Sequence, residues 1–362
     1  MKNSASNITR ATRSLKSNLR WLVTGTPLNT DVSDLYGMLY SLRVFGLHHK
    51  SLFDAVVAYP GSDFFNRGDD DKFPPTLSYL MSKLMIRHEK QQMFGSPPRK
   101  LLELPKKTTT RVIVEWGEGA EGKRRKAEYD AIEKATLDRG VRSLLSSEGI
   151  SKKYYMRLYQ RLQMLLRYCS VGYVDEEDDD AASALASNSG NASSASAPAA
   201  ASKTTGTESK TKRKREDPSK FPKIRRALKT LKDIRRMDRT AKVLVFSHFS
   251  QTLDAFQTAL RSEDIGFATL DGSMTGGVRN RNLKRFEEDD DTVAFLLSVR
   301  AGAVGINLTQ ANHVFLMDPC WNPALEQQAV GRSWRMGQKR QVHVHRFVMK
   351  SSADSRLVDF DM

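Results

Sequence analysis

Between residues 243 and 348 the chain repeats one pattern: a short apolar run rich in β-branched residues, a polar loop, then a stretch with apolar residues at helical spacing. The runs read VLVF at 243–246, VAFLL at 293–297, VFLM at 314–317 and VHVHRFV at 342–348, with helical stretches such as 253–260 and 281–286 between them. A strand covered on both faces reads as a continuous apolar run, whereas one with a wet face alternates. Runs of the first kind alternating with helices predict an α/β layer on a mostly parallel sheet.

The start of the chain is different. Residues 21–23 (WLV) read as one short strand, Thr24-Gly25-Thr26-Pro27 follows, and Leu35, Leu39 and Leu42 fall at helical spacing. One strand makes no sheet alone, so this part is expected to be the remnant of a lobe, or a piece that docks on another sheet. Residues 76–92 and 122–169 read as helices, with a strand at 111–116 between them. Residues 175–220 break the globular pattern: an acidic run from Asp175 to Asp180, an Ala/Ser/Asn stretch, then a basic cluster of Lys210, Lys212, Arg213, Lys214 and Arg215. With Leu185 as its one large apolar side chain, such a segment cannot offset its ordering entropy, and a disordered linker is expected. The basic cluster reads as a nuclear localisation signal or as a solvated charge run. The expected organisation is a lobe remnant with a helical protrusion over 1–110, a strand and helical connecting region over 111–174, the linker over 175–220, the parallel-sheet lobe over 221–349, and a C-terminal segment beginning at 350–362.

Lys and Arg number 58 against 42 Asp and Glu, a formal charge of +16. So basic a balance favours a polyanionic partner, nucleic acid above all, over the plainer reading of solubility alone. Hydrophobic residues at 39% exclude disorder along the whole chain. No window approaches the ~18 consecutive apolar residues of a membrane span, and the first residues lack the apolar core of a signal peptide, so a soluble intracellular protein with no membrane partner is expected. Cys169 and Cys320 are too few for a disulfide framework or a Cys-rich zinc site. His248, His313, His343 and His345 share no metal-ligand spacing with Cys or carboxylates, so no metal site is expected. Tyr154, Tyr155, Tyr159 and Tyr168 among Arg157, Arg161 and Arg167 read as a core helix with a charged outer face, or as one that touches nucleic acid.

The stretch richest in chemistry runs from Gln328 through Gly331, Arg332, Trp334 and Arg335 to Gln338. Two arginines three apart on a helix share a face, and guanidinium is a permanently charged planar fork matched to phosphate oxygens. Read alone, such a pair is more often surface charge. Upstream, LLSVRAGAVGINLTQANHVFLMDPCWNP over 296–323 gives a strand, a turn spaced by Gly302 and Gly305, a second strand and then Asp318-Pro319. Ser298, Arg300 and Asn307 are polar groups at a strand end, where open α/β sheets bind ligands. KVLVFSHF at 242–249 and LDGS at 270–273 repeat the sequence of strand and polar loop.

In this order the blocks resemble motifs four, five and six of the SWI/SNF-type DNA-dependent ATPases of helicase superfamily two. WLVTGTPL at 21–28 resembles motif three of that family, and Lys2-Asn3 the residues after its acidic motif two. LMIRH at 84–88 with Leu104-Pro105 resembles its connecting region, in the branch of helicase-like transcription factors and DNA-repair translocases. The resemblance covers most of the chain outside 175–220. It implies RecA-like α/β lobes, here a parallel-sheet C-terminal helicase lobe plus an incomplete N-terminal lobe remnant with helical insertions, and a brace at the C-terminus. It implies ATP and Mg2+ in the complete enzyme, no zinc, duplex DNA held mainly by its phosphate backbone, chromatin or repair proteins as partners, and the nucleus as location. Carried over, Arg332 and Arg335 are arginine fingers supported by Gln328, a device worth ~10³ to 10⁵ in rate. Gly302, Gly305 and Asn307 link nucleotide to DNA; Thr24, Gly25 and Thr26 couple the lobes; Ser247, Ser273 and Arg300 contact the DNA backbone. The sequence departs from the family where Asn29-Thr30 replace the common Gln-Asn and where Trp334 replaces a small residue or His. Two cysteines cannot make the RING insertion that some relatives carry.

A phosphate cradle needs a Gly-rich loop opening a helix, with Lys and then Ser or Thr. The nearest match, GEGAEGKR at 117–124, ends on Arg124, which is no metal ligand, and sets Glu118 and Glu121 beside the phosphates, so it reads as a surface turn. The acidic magnesium motif has no match, since Asp175 to Asp180 follows no buried strand. The chain is expected to hold the second lobe's share of an ATPase site, inactive alone, as the C-terminal portion of a DNA translocase for chromatin remodelling or repair. The alternative is a non-catalytic DNA-binding or scaffold protein that retains only that lobe.

Overall fold

The structure is a computed structural model that describes residues 6–25, 27, 32–58, 75–90, 92–145, 152–172, 217–272, 274–299 and 305–360. The chain forms two compact units, Met1–Glu103 and Leu104–Met362. The first is helical. α1 (Asn7–Ser14) is opened by Ser6, whose Oγ accepts from the Thr9 N–H at 3.2 Å and satisfies one donor that a first helical turn leaves over. α2 (Asp34–Leu42) buries Leu35 and Leu39 one turn apart and stops where Arg43 becomes left-handed, φ 57°. Arg20 ties the two helices, donating to Thr12 O at 3.1 Å and Ser41 O at 3.0 Å. α3 (Lys50–Phe53), continued by a π turn to Ala58, and α4 (Pro75–Leu84) bring Phe53, Val57 and Leu77 against Leu35 and Leu39 in one small core.

Two expectations for this unit need correction. Residues 21–23 form no strand: Trp21 is 77% exposed and Val23 fully so, because among the described residues no neighbouring strand offers them hydrogen bonds. The helix read over 76–92 ends at Leu84; the described residues from there to 92 are irregular, and a hairpin of two-residue strands, β1 (Met93–Phe94) and β2 (Arg99–Lys100), follows.

The second unit carries the sheet. β3 (Lys107–Val114) leads into α5 (Gly119–Leu145) and α6 (Lys152–Val171), then α7 (Pro222–Met237). β4 (Val243–Ser247), α8 (Ser250–Ser262), β5 (Gly266–Leu270), α9 (Gly276–Glu288) and β6 (Thr292–Ser298) follow in alternation, and β7 (His313–Leu316), α10 (Pro323–Val330), β8 (Val342–Met349) and α11 (Ala353–Phe360) complete it. The strands lie in the order β3-β8-β7-β4-β6-β5, all parallel. β4 sits between two strands and under helices on both faces, so every residue of it is buried. Its period of two sorts the side chains: Val243 and Val245 enter the core shared with α7 and α8, Leu244 and Phe246 the core shared with α9 and α10. The α/β parallel-sheet lobe is therefore the one the apolar runs predict. The strand read at 111–116 starts earlier, at Lys107, and pairs with β8 over eight residues, from Lys107 opposite Val342 to Val114 opposite Met349. Behind it Tyr129 of α5 and Leu165 and Cys169 of α6 join the core of Val245 and Phe256. Among the described residues no helix is long and apolar enough to cross a membrane.

Candidate functional site

The carboxyl ends of β4, β6 and β7 lie side by side, the edge at which open parallel sheets receive ligands. Past β7, the Met317 N–H donates to Phe246 O at 2.9 Å and draws Asp318 inside. The Asp318 carboxylate accepts from the hydroxyls of Ser170 and Ser247 and from the His248 N–H at 3.2 Å, joining the ends of α6, β4 and β7. Ser247, read as a DNA-backbone contact, is thus 1% exposed with its hydroxyl given to Asp318; its place at a strand end turns it into the protein. Beside this hub Lys223 is fully buried, pairs with Asp354 and donates to Met317 O at 3.0 Å. Burial alone would push this ammonium down, but the Asp354 and Asp318 carboxylates outweigh it and hold Lys223 above its ordinary value. Burial pushes the Asp354 carboxyl upward; with the ammonium and the Met349 N–H at 3.3 Å both aimed at its Oδ2, the ionised pair is the favoured form. Sequence reasoning missed this pair. The signal was present, since Lys223 falls on the same stripe of α7 as Ala227, Leu231 and Ile234.

From Asp318 the chain turns into α10, whose N-cap Asn322 accepts from the Ala324 N–H at 3.0 Å and whose first residue is Pro323. The helix ends at Val330, so Arg332 and Arg335 do not share a helical face, as their spacing had suggested. They lie on successive turns instead, because Arg332 O accepts from Leu308 N at 3.0 Å rather than from a residue further along a helix. Gln338 fastens these turns: its amide donates to Thr309 O at 3.0 Å and Ala311 O at 2.9 Å, while its Oε1 accepts from Arg340 N at 2.9 Å. Ser333 is buried and donates its hydroxyl to Ala311 O. Arg335 Nη1 reaches Ile306 O at 3.4 Å, so the arginine turn lies against the 305–308 segment. Burial, and then the Arg335 guanidinium, hold Arg332 below the ordinary arginine value. Trp334, between the two, donates its indole N–H to Pro105 O at 2.8 Å and carries the Lys107 ammonium 4.8 Å from its ring centre. Gln328 is half-buried on α10.

The other residues read from the sequence are dispersed. Gly305 and Asn307 are exposed, and a Cβ at Gly305 would meet nothing within 4 Å. Thr24 and Gly25 are exposed in the first unit. Thr26, Ser273, Arg300 and Gly302 lie outside the described residues, as do the side chains of Tyr154, Tyr155 and Arg157 and the basic cluster from Lys210 to Arg215. Tyr168 is buried and Tyr159 rests 6.2 Å from the Trp321 ring. His248 meets one cysteine, its Nε2 lying 2.7 Å from Cys320 Sγ. His313, His343 and His345 stack on one another across β7 and β8. Among the described residues, no three His, Cys, Asp or Glu side chains are grouped so as to hold a metal ion.

The turn at Gly117 is closed by its own chain. Gly117 has φ 116°, and a Cβ on Gly122 would fall 2.1 Å from the Gly117 carbonyl oxygen, so both glycines serve close approach of backbone to backbone. Arg125 fills the remaining space, donating to Trp116 O at 3.4 Å and pairing with Glu121. These residues do not fit a phosphate cradle.

Residues 1–156 match the SNF2-related domain, and residues 222–337 match the helicase conserved C-terminal domain. The chain is 40% identical over 137 residues to DNA repair protein RAD5 of Cryptococcus neoformans and 42% identical over 135 residues to DNA repair protein RAD5B of Arabidopsis thaliana; these stretches are 38% and 37% of this chain. It is 40% identical over 124 residues, 34% of its length, to DNA repair and recombination protein RAD54-like of Drosophila erecta. The matched stretches span 11% of each of the first two relatives and 16% of the third. In shape it is similar to the crystal structure of the C-terminal part of the Fun30 ATPase domain, with a TM-score of 0.49 and 22% identity over 72% of this chain and 90% of that one. With the SNF2-related domain followed by the helicase C-terminal domain along its length, the chain belongs to the SNF2-related, helicase-like family.

Proposed function

We propose that the chain supplies the C-terminal lobe of an ATP-dependent DNA translocase acting in DNA repair or on chromatin, with Arg332 and Arg335 facing the γ-phosphate of ATP and Gln328 in support. The observation that carries this reading is the arginine turn. Two guanidiniums are brought together in partial burial, with Arg335 Nη1 3.4 Å from Ile306 O, a pair of planar donor forks suited to phosphate oxygens. ATP would bring the phosphate to be transferred and Mg2+ would offset its charge; the residues of the Gly117 turn fit neither. The chain's own part is to present two guanidiniums, fixed by Gln338 and Ser333, to the charge that develops on the phosphate. Gly302, Gly305 and Asn307 connect that site to DNA, Ser273 and Arg300 touch its backbone, and Thr24, Gly25 and Thr26 couple the lobes. Ser247 drops out of the set, being buried. A formal charge of +16 supports duplex DNA as the partner, bound through phosphates with an affinity that falls steeply as salt rises. The DNA-repair names of the relatives support a nuclear location and repair or chromatin proteins as further partners.

In the full-length protein, Arg335→Ala should lower DNA-stimulated ATP hydrolysis by ~10³-fold or more. Its affinity for duplex DNA at fixed salt should change by less than about twofold, since the site's guanidinium is aimed at nucleotide rather than DNA phosphate. Unchanged turnover removes the finger role. Salt-sensitive DNA binding with no hydrolysis by the unaltered protein would instead favour the non-catalytic DNA-binding reading, which the same charge supports.

A further inference from the structure

β5 ends the sheet: β6 pairs with one side of it, and among the described residues no strand pairs with the other. The open side is identified by Asn282 of α9, whose Nδ2 donates to Thr269 O at 2.8 Å from outside the ladder. By the strand's two-residue period, Phe267 turns its N–H and C=O to that same side. The edge is not flush with the surface. It forms the floor of a groove of 350 Å³ between α8 and α9, walled by Gln257 and Arg261 on one side and by Asn282 and Arg285 on the other. Arg261 lies with its guanidinium carbon 5.3 Å from the Phe267 ring centre and donates to Gln257 Oε1 at 3.3 Å. Arg285 reaches Asp289 at 3.6 Å, both side chains well exposed. The groove wall thus carries two cations and no carboxylate.

We propose that this groove is a docking site for an extended peptide segment with acidic side chains at successive positions, added as a seventh strand beside β5, so that one carboxylate turns to the α8 face and the next to the α9 face. Its main chain would pair with Phe267, and its carboxylates would meet Arg261 and Arg285. Main-chain pairing supplies the affinity in such complexes and alternate side chains the specificity. Arginines beside an open edge also discourage pairing with a second copy of the same edge. A recessed floor flanked by cations on both sides goes further, because it admits one narrow strand of opposite charge. A nucleic acid would satisfy the arginines and leave the Phe267 N–H and C=O unmatched, which favours the peptide. The inference stands apart from the ATPase reading and uses none of its residues.

The test is titration of the whole chain with a fluorescent peptide in which a pair of successive Glu is flanked by Val on each side, at physiological salt, with amide hydrogen exchange followed in parallel. Saturable binding with slowed exchange at 267–269 is expected. Arg261→Glu combined with Arg285→Glu should weaken binding by about tenfold or more, and the same peptide with Lys in place of both Glu should then bind instead. Proline at the centre of the Glu/Val peptide, which removes a ladder donor, should cost about as much. Both arginines are exposed, so an unchanged melting temperature is expected of the charge-reversed chain; if it melts early, Arg261→Gln with Arg285→Gln should show the same loss of binding. Binding that leaves exchange at 267–269 unaltered overturns the proposal. Slowed exchange there on adding DNA, with none from the peptide, also overturns it and assigns the arginines to nucleic acid.

Discussion

Lys223 and Asp354, both fully buried, hold one another's charge in a site without solvent. Removing one partner leaves the other charged and unmatched, a change that costs about 3–5 kcal/mol, whereas replacing both with apolar side chains of similar volume is close to neutral. Lys223→Met should therefore lower the urea midpoint by about that much stability, and Lys223→Met with Asp354→Leu should recover most of it. Equal losses in the single and double variants would show that the two charges do not depend on each other. At this scale the sequence is informative where residue type carries the chemistry. Arg332 and Arg335, which taken alone read as surface charge, are singled out by the resemblance of the blocks around them to a known family, and Trp334 by its departure from that family's pattern. Gln338 was visible only as part of a motif, because its partners are the main-chain carbonyls of Thr309 and Ala311 on a distant segment, and carbonyls leave no mark in a sequence.

Pairing between elements brings together what the chain keeps apart. Register sets His313 of β7 opposite His343 of β8, and His313 Nδ1 lies 3.2 Å from His345 Nε2. Burial, then the neighbouring imidazoles, push His313 down to about 3 and His345 down to about 4. Arg340 adds to the effect on His313 and Asp238 opposes it. A histidine depressed in the fold binds its proton more readily when unfolded. Stability from this pair is thus fully present above the unfolded value near ~6.5 and is lost as pH falls from there through the folded values. Urea denaturation at pH 5 should show each histidine contributing a loss on the order of 2 kcal/mol relative to pH 7. His313→Phe should flatten that slope, and an unchanged slope in this variant would rule out the stack as its source. Four strands could be read from their apolar runs because each is self-contained in sequence. The register that stacks the histidines could not, and for the same reason the run at 21–23 misled: a strand is a relation between two segments, and composition describes only one.

For the molecule as a whole, the boundary between the units is the informative feature. The match to the SNF2-related domain runs to residue 156, yet β3 and α5 within it fold into the unit that begins at Leu104. β3 covers the edge of β8 along eight paired residues, and Phe347, Val348 and Met349 of β8 are buried. A fragment starting at residue 104 should therefore melt in one cooperative transition by calorimetry. A fragment starting at residue 115 should expose that edge and associate in solution, as light scattering would detect. Two well-behaved fragments would show that β3 is dispensable. The α/β layer and its place in the chain were legible because continuous apolar runs follow from burial on both faces, whereas the membership of β3 in the same sheet depends on a contact more than two hundred residues away in sequence.

The hydrogen bond from the Trp334 indole to Pro105 O has a mechanical consequence. Residue 105 lies just past the start of the second unit, so the backbone entering that unit is moored directly to the turn that bears Arg332 and Arg335. One residue on, Lys106 O accepts from Val342 N at 3.0 Å, so a load on the incoming polypeptide is divided between the arginine-bearing turn and the edge of the sheet.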